Sequence, residues 1–186
     1  MLGKFKIYHW CWLLVCMPAI AEQSARAQSR EYQIKAAFLL NFTQFVRWPA
    51  TAFPGPASPL CIGVLGDDPF GSALEDTIRG ESIQDHKICV RRARRVEDLV
   101  DCQVVFVSSS ERGHVPEILA KINSRPVVTV GDVAGFARQG GTIDFYREQN
   151  KVRFEINPVS ARQCGLKISS QLLGLGKIVE TPVVNK

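Results

Sequence analysis

Two aspartates, Asp67 and Asp68, follow an apolar run at Leu60–Leu65 and a glycine at position 66. A strand, a glycine turn and a helix start in that order can cradle phosphate on backbone N–H groups. The glycines at 63, 66 and 71 match neither G-x-G-x-x-G nor G-x-x-x-x-G-K-[ST]. Two carboxylates at such a turn also repel a phosphate unless a metal lies between them. A receiver-like acidic pocket holding Mg²⁺ is a second possibility. The apolar run at 102–107, however, is followed by Ser108, Ser109 and Ser110, with no aspartate to accept a phosphoryl group. The simpler reading is a βα turn with a capped helix.

The remaining reactive residues are sparse. The chain holds no G-x-S-x-G elbow, no H-E-x-x-H pair and no Cys/His nucleophile arrangement. Past residue 27 only His86 and His114 remain, neither with a neighbour at metal-ligand spacing. Asp144 and Glu155 lie on two segments predicted to face each other and could form a catalytic pair. Their alternation instead places them on a solvated sheet face with Arg147 and Arg153. The basic run Arg91, Arg92, Arg94 and Arg95 reads either as an anion or acidic-partner patch or as a solvated strand end, and its shortness favours the latter. A non-enzyme without cofactor or metal is the reading these residues support.

Lys4 and Lys6 precede an uncharged, mostly apolar stretch from 7 to 21, with small residues at Ala19, Ala21, Ala25 and Ala27. This is the plan of a secretory signal peptide over residues 1–27, followed by one domain at 28–186. The stretch is short of the roughly 20 residues a span needs, which disfavours an uncleaved anchor and leaves no stable membrane insertion. Removal of 1–27 leaves 20 basic and 17 acidic side chains, a net +3 that does not call for nucleic acid. Cys61, Cys89, Cys102 and Cys164 then reach an oxidising compartment where pairing is permitted. Four cysteines allow three complete pairings, among which the sequence does not choose. Cys61 and Cys102 each sit at the start of a predicted strand and would lie side by side if those strands are neighbours, which favours that bridge.

The elements that must position these residues alternate. Residues 31–46 favour helix and carry apolar side chains on nearly every face, so the helix is expected to be buried all round, Asn41 included, or to offer a spare face to a dimer or partner. Trp48 and Pro49 end it. Strands at 60–65, 86–90, 102–107 and 126–130 alternate with helices at 72–79 and 116–122. That order argues for an α/β fold with a mainly parallel, flavodoxin-like sheet flanked by helices, the first strand central. The tail departs from this pattern. Residues 142–146 and 152–156 alternate as a β-hairpin, Asn157 and Pro158 start a short helix, and Ser169 or Ser170 caps a last helix over 171–179.

Taken together, YQIKAAFLLNFTQFVRWP, CIGVLGDDPFG, CQVVFVSSS, GGTIDFYREQNKVRFEIN and CGLKISSQLLGL resemble, in that order, the periplasmic YfiR family over about residues 32–179. The resemblance implies a small periplasmic α/β protein that tends to form a homodimer. It further implies a repressor that binds the periplasmic part of an inner-membrane diguanylate cyclase and lowers cyclic di-GMP and biofilm formation. Cys61 and Cys102 match a family disulfide, whereas Cys89 and Cys164 do not fall where a second family pair is expected. On this reading Phe42, Phe45 and Trp48, or a hairpin face, contact the partner. In the alternative, a periplasmic small-molecule sensor domain, Arg153, Glu155 and Asn157 line a pocket at the polar face of the hairpin.

Overall fold

The computed structural model describes residues 11–180, with side chains from residue 26 onward. The first ten residues of the expected signal peptide lie outside the described residues. Helix α1, Cys11–Phe45, runs through the rest of that stretch and on into the domain. No helix among the described residues is long and apolar enough to cross a membrane.

The centre of the sheet is β1, Leu60–Leu65, in which all six residues are buried. Uniform burial is what a strand covered on both faces requires, and it explains the unbroken apolar run. On one side β1 pairs in parallel with β2, His86–Ala93; on the other it pairs in parallel with β3, Val104–Val107. Next come β4, Val128–Gly131, and β5, Ile143–Glu148, both parallel to their inner neighbours. The order 2-1-3-4-5 is the expected flavodoxin-like one. The hairpin strand β6, Lys151–Ile156, adds antiparallel to β5, and a two-residue strand β7, Lys177–Ile178, closes that edge parallel to β6. At the opposite edge Ser82–Ile83 folds back on β2.

Two apolar layers sandwich the sheet. On one face α1 packs with α2, Ala73–Ile78, α4, Pro158–Gln163, and α5, Ser170–Leu175. Four phenylalanines, Phe38, Phe42, Phe145 and Phe154, form a ring cluster between α1 and the hairpin, with centroids 5.1 to 6.1 Å apart. On the other face lie α3, Val115–Ile122, a 3₁₀ turn at Val96–Leu99, and Phe136.

Several local signals act differently from expectation. Asp68 does cap, but it accepts from the Phe70 N–H at 2.8 Å, one turn ahead of α2, where Ser72 takes the N-cap position. Asn157 caps α4 by accepting from Val159 and Ser160, and Ser169 caps α5 by accepting from Leu172. Helix α5 stops at Gly176 and does not reach residue 179. A Cβ at Gly176 would come within 2.6 Å of Phe154 and 2.8 Å of Ile156, so only glycine lets the chain turn there into β7. Helix α1 is not buried all round: Arg30, Ile34, Ala37, Asn41 and Gln44 form an exposed stripe, and Asn41 faces solvent.

Candidate functional site

The disulfide joins Cys61 to Cys89, and Cys102 is a free, buried thiol. This corrects the expected Cys61 to Cys102 bridge, and the reason is register. Strands β1 and β3 are neighbours, but Ile62 faces Val104, so Gln103 and not Cys102 lies beside Cys61. Gln103 clasps it from both sides: its N–H donates to the Cys61 carbonyl at 3.0 Å, and its Oε1 accepts from the Cys61 N–H at 2.8 Å. On the other flank Cys89 stands in register with Cys61, at a Cα separation of 4.6 Å. The Cys102 sulfur packs instead beside Gly63 and Leu99, and burial pushes its thiol up to about 11. Cys164 is also free and buried; its Sγ donates to the Asn123 carbonyl at 3.2 Å, and burial raises its pKa.

The acidic turn after β1 and the basic run at the end of β2 are two halves of one ion-pair cluster. Arg92 donates to Asp68 at 2.7 Å, to Glu75 and to the Gly71 carbonyl at 3.0 Å. Arg94 pairs with Asp67, and Arg95 lies 3.7 Å from Glu97. The Arg92 guanidinium holds the Glu75 carboxyl below the ordinary range. Arg92, Arg94 and Arg95 are thus compensated within the chain, while the exposed Arg91 meets only the Asp98 carbonyl among the described residues. No group of three or more candidate metal ligands occurs among the described residues.

The residues expected to meet a partner or ligand do not gather. Phe42 is 1% exposed inside the aromatic cluster and is closed to a partner, because the hairpin covers the face on which it stands. Phe45 and Trp48 are half-buried, and the Trp48 indole donates to the Gln103 carbonyl at 3.3 Å. Arg153 is exposed opposite Glu148, Asn157 is buried as a helix cap, and Glu155 is tied to Arg138 at 3.0 Å and Lys177 at 3.2 Å.

The face expected to carry a solvated Asp144 and Glu155 is covered: Asp144 is 3% exposed and Glu155 8%. Alternation assigns the face correctly, but the segment 133–139 folds over it with Phe136 as its anchor. Asp144 accepts from the Phe136 N–H at 3.0 Å, while its Oδ1 has no hydrogen-bond partner. Burial pushes this carboxyl up to about 7.

A polar group that the sequence reading passed over lies on α1. Lys35, 2% exposed, contacts Asp132 at 2.7 Å and Glu31 at 2.7 Å, and its ammonium sits 4.5 Å over the Tyr32 ring. The Tyr32 hydroxyl donates to Asp132 at 2.7 Å, and burial raises its pKa. The i,i+4 pair Glu31 and Lys35 within an apolar helix is the signal that points to it.

A cleft of about 580 Å³ opens between the exposed stripe of α1 and the tip of the β5–β6 hairpin. Arg26, Ala27, Arg30, Glu31 and Ile34 line it from α1, and Arg147, Asn150, Lys151 and Val152 from the hairpin. Arg147 reaches Glu31 at 3.3 Å and donates to Asn150.

Strand order, covering helices and hairpin define a small three-layer α/β domain. The sequence profile of the YfiR/HmsC-like family matches residues 32–177, and the chain belongs to that family. Membership supports a periplasmic regulator of cyclic di-GMP signalling. No curated protein matches the chain. Among solved structures, it is similar to a conserved domain protein from Vibrio cholerae O1 biovar eltor, at TM-score 0.46 and 12% identity over 63% of this chain and 54% of that one. It is also similar to the ABC domain in complex with L-Trp from Streptococcus pneumonia, at TM-score 0.47 and 10% identity over 64% and 55%. The chain thus spans about half the length of each.

Proposed function

We propose that the chain is exported, loses residues 1–27, and as a homodimer binds the periplasmic domain of an inner-membrane diguanylate cyclase, holding the cyclase off. The observation that carries this reading is the family match over residues 32–177, nearly the whole domain. A repressor acts by differential affinity for two states of its partner, which asks for a surface and not for a nucleophile. Here the polar side chains near the strand ends are engaged in internal ion pairs, at Arg92 with Asp68 and Glu75 and at Lys35 with Asp132. The half-buried Phe45 and Trp48 remain available at the end of α1.

The test is intracellular cyclic di-GMP in a strain lacking the gene, compared with strains given back the full chain or a chain without residues 1–27. The expected result is a rise on deletion that only the exported form reverses. An unchanged level, with the strain's cyclases expressed, refutes the repressor role and leaves the periplasmic sensor reading, for which the part of the cleft that export leaves, between Arg30, Ile34 and Lys151, is the place a ligand would enter.

A further inference from the structure

We propose that the cleft between α1 and the hairpin tip is the docking site for an acidic segment of a partner protein, one that carries an apolar side chain beside its carboxylates. That the partner is a repressed cyclase rests on the function proposed above; the charge of the cleft does not.

Positive charge is in excess at the cleft. The arginines at 92, 94 and 95 meet Asp67, Asp68, Glu75 and Glu97, and Arg138 and Lys177 share Glu155. In the cleft, Arg30, Arg147 and Lys151 face one carboxylate among the described residues, Glu31, which is already engaged by Lys35; Arg26, on the same wall, leaves with residues 1–27. Arg30 and Lys151 make no ion pair or side-chain hydrogen bond among the described residues. Such an excess attracts a negatively charged partner and steers its approach.

The cleft is also shaped for such a partner. Lys151 and Arg147 project from a two-residue turn in which Gln149 and Asn150 both have positive φ, at 49° and 62°, the geometry of a tight hairpin. The turn fixes the backbone that carries both, and Arg147 reaches α1 at Glu31. The floor is apolar: Ile34 is 42% exposed and Val152 is half-buried. A cationic rim over an apolar floor suits alternating acidic and apolar side chains better than a small inorganic anion. A bilayer surface is a poorer match, because anionic headgroups are met by protruding cations and this site is concave. Arg30 and Ile34 also lie beyond both small-residue cleavage points, Ala21 and Ala27, so an exported chain keeps them.

The test uses the full exported protein and a fluorescent peptide of alternating Glu, Asp and Leu as probe, read by anisotropy. The R30E/K151E variant is expected to bind at least about tenfold more weakly, and binding should weaken as salt rises from about 50 to about 300 mM. R125E, at the opposite end of the sheet, should match the parent protein. Equal binding by parent and R30E/K151E, with both melting alike, overturns the proposal, as does no binding by the parent. Binding of the parent to phosphatidylglycerol vesicles but not to the peptide overturns it in favour of a membrane surface. In cells the two readings separate. If deletion leaves cyclic di-GMP unchanged, the repressor reading fails and the peptide result alone decides the cleft. If deletion raises it and R30E/K151E still represses, the cleft proposal falls while the repressor reading stands.

Discussion

Replacing Asp144 with Asn isolates a proton that the native fold holds at neutral pH. Asp144 is 3% exposed, accepts from the Phe136 N–H, and leaves Oδ1 without a partner, with Glu155 directly across the strand pair. Burial raises its carboxyl from 3.8 to about 7, with Glu155 and Asp132 adding to the rise. Between those values the native state binds the proton more than the unfolded chain does. Stability from this group is therefore present at acid pH, falls as pH rises through the window, and levels off above about pH 8. The full difference corresponds to about 4 kcal/mol, of which about 2.5 kcal/mol falls between pH 5 and pH 8. In D144N the side-chain oxygen can still accept from Phe136, and no proton is exchanged. The assay is urea unfolding at pH 5, 6, 7 and 8 for both proteins. Contributions from every other group are common to the two and cancel in the difference. The stability of D144N relative to the parent should climb by about 2.5 kcal/mol across the series. A difference constant within about 0.5 kcal/mol refutes the claim that burial keeps this carboxyl protonated.

Three further outcomes follow from the packing. Reducing the Cys61–Cys89 bridge, with a sequence separation of 28, should cost roughly 3.5 kcal/mol in urea unfolding by loop entropy, and a non-reducing peptide map should join those two cysteines; a map joining Cys61 to Cys102 contradicts the register argument. K35A should cost about 3 kcal/mol, because it leaves the half-buried Asp132 with only the Tyr32 hydroxyl, whereas an effect below about 1 kcal/mol in the same assay would mean water replaces the ammonium. F136A should cost about 3 to 5 kcal/mol by calorimetry or urea, since the fully buried ring fills the notch over Gly131 and Gly141, where a Cβ on either glycine would meet it at 2.2 Å.

The parts of the fold that were legible are those fixed by near neighbours in the chain. Five apolar residues out of six at Leu60–Leu65 demand burial on both faces, and the β5–β6 hairpin shows its period of two directly. Strand order followed from the alternation of strand and helix. What escaped is whatever depends on register or on cover. Both β2 and β3 flank β1, so neighbouring strands offered Cys89 and Cys102 alike, and a shift of one residue, which puts Gln103 beside Cys61, decided between them. Asp144 and Glu155 do point away from the aromatic cluster, as alternation says, but alternation is silent on what lies over that face. Register and cover are long-range choices, set by packing that no local window contains.

Charge follows the same rule, with a consequence for where function is sought. The arginines at 91–95 and the aspartates at 67 and 68 are the conspicuous charged features of the sequence, and folding makes them partners, through Arg92 and Arg94. A conspicuous run attracts a complementary run inside its own chain and loses its external field. Arg30 and Lys151 are inconspicuous, each single and far apart in sequence. They matter because α1 and the hairpin tip bring them to one cleft where Glu31 is the sole carboxylate among the described lining residues. The charge excess at that cleft is therefore a property of the topology, and substitutions meant to disturb partner binding belong there before they belong at Arg92 or Arg94.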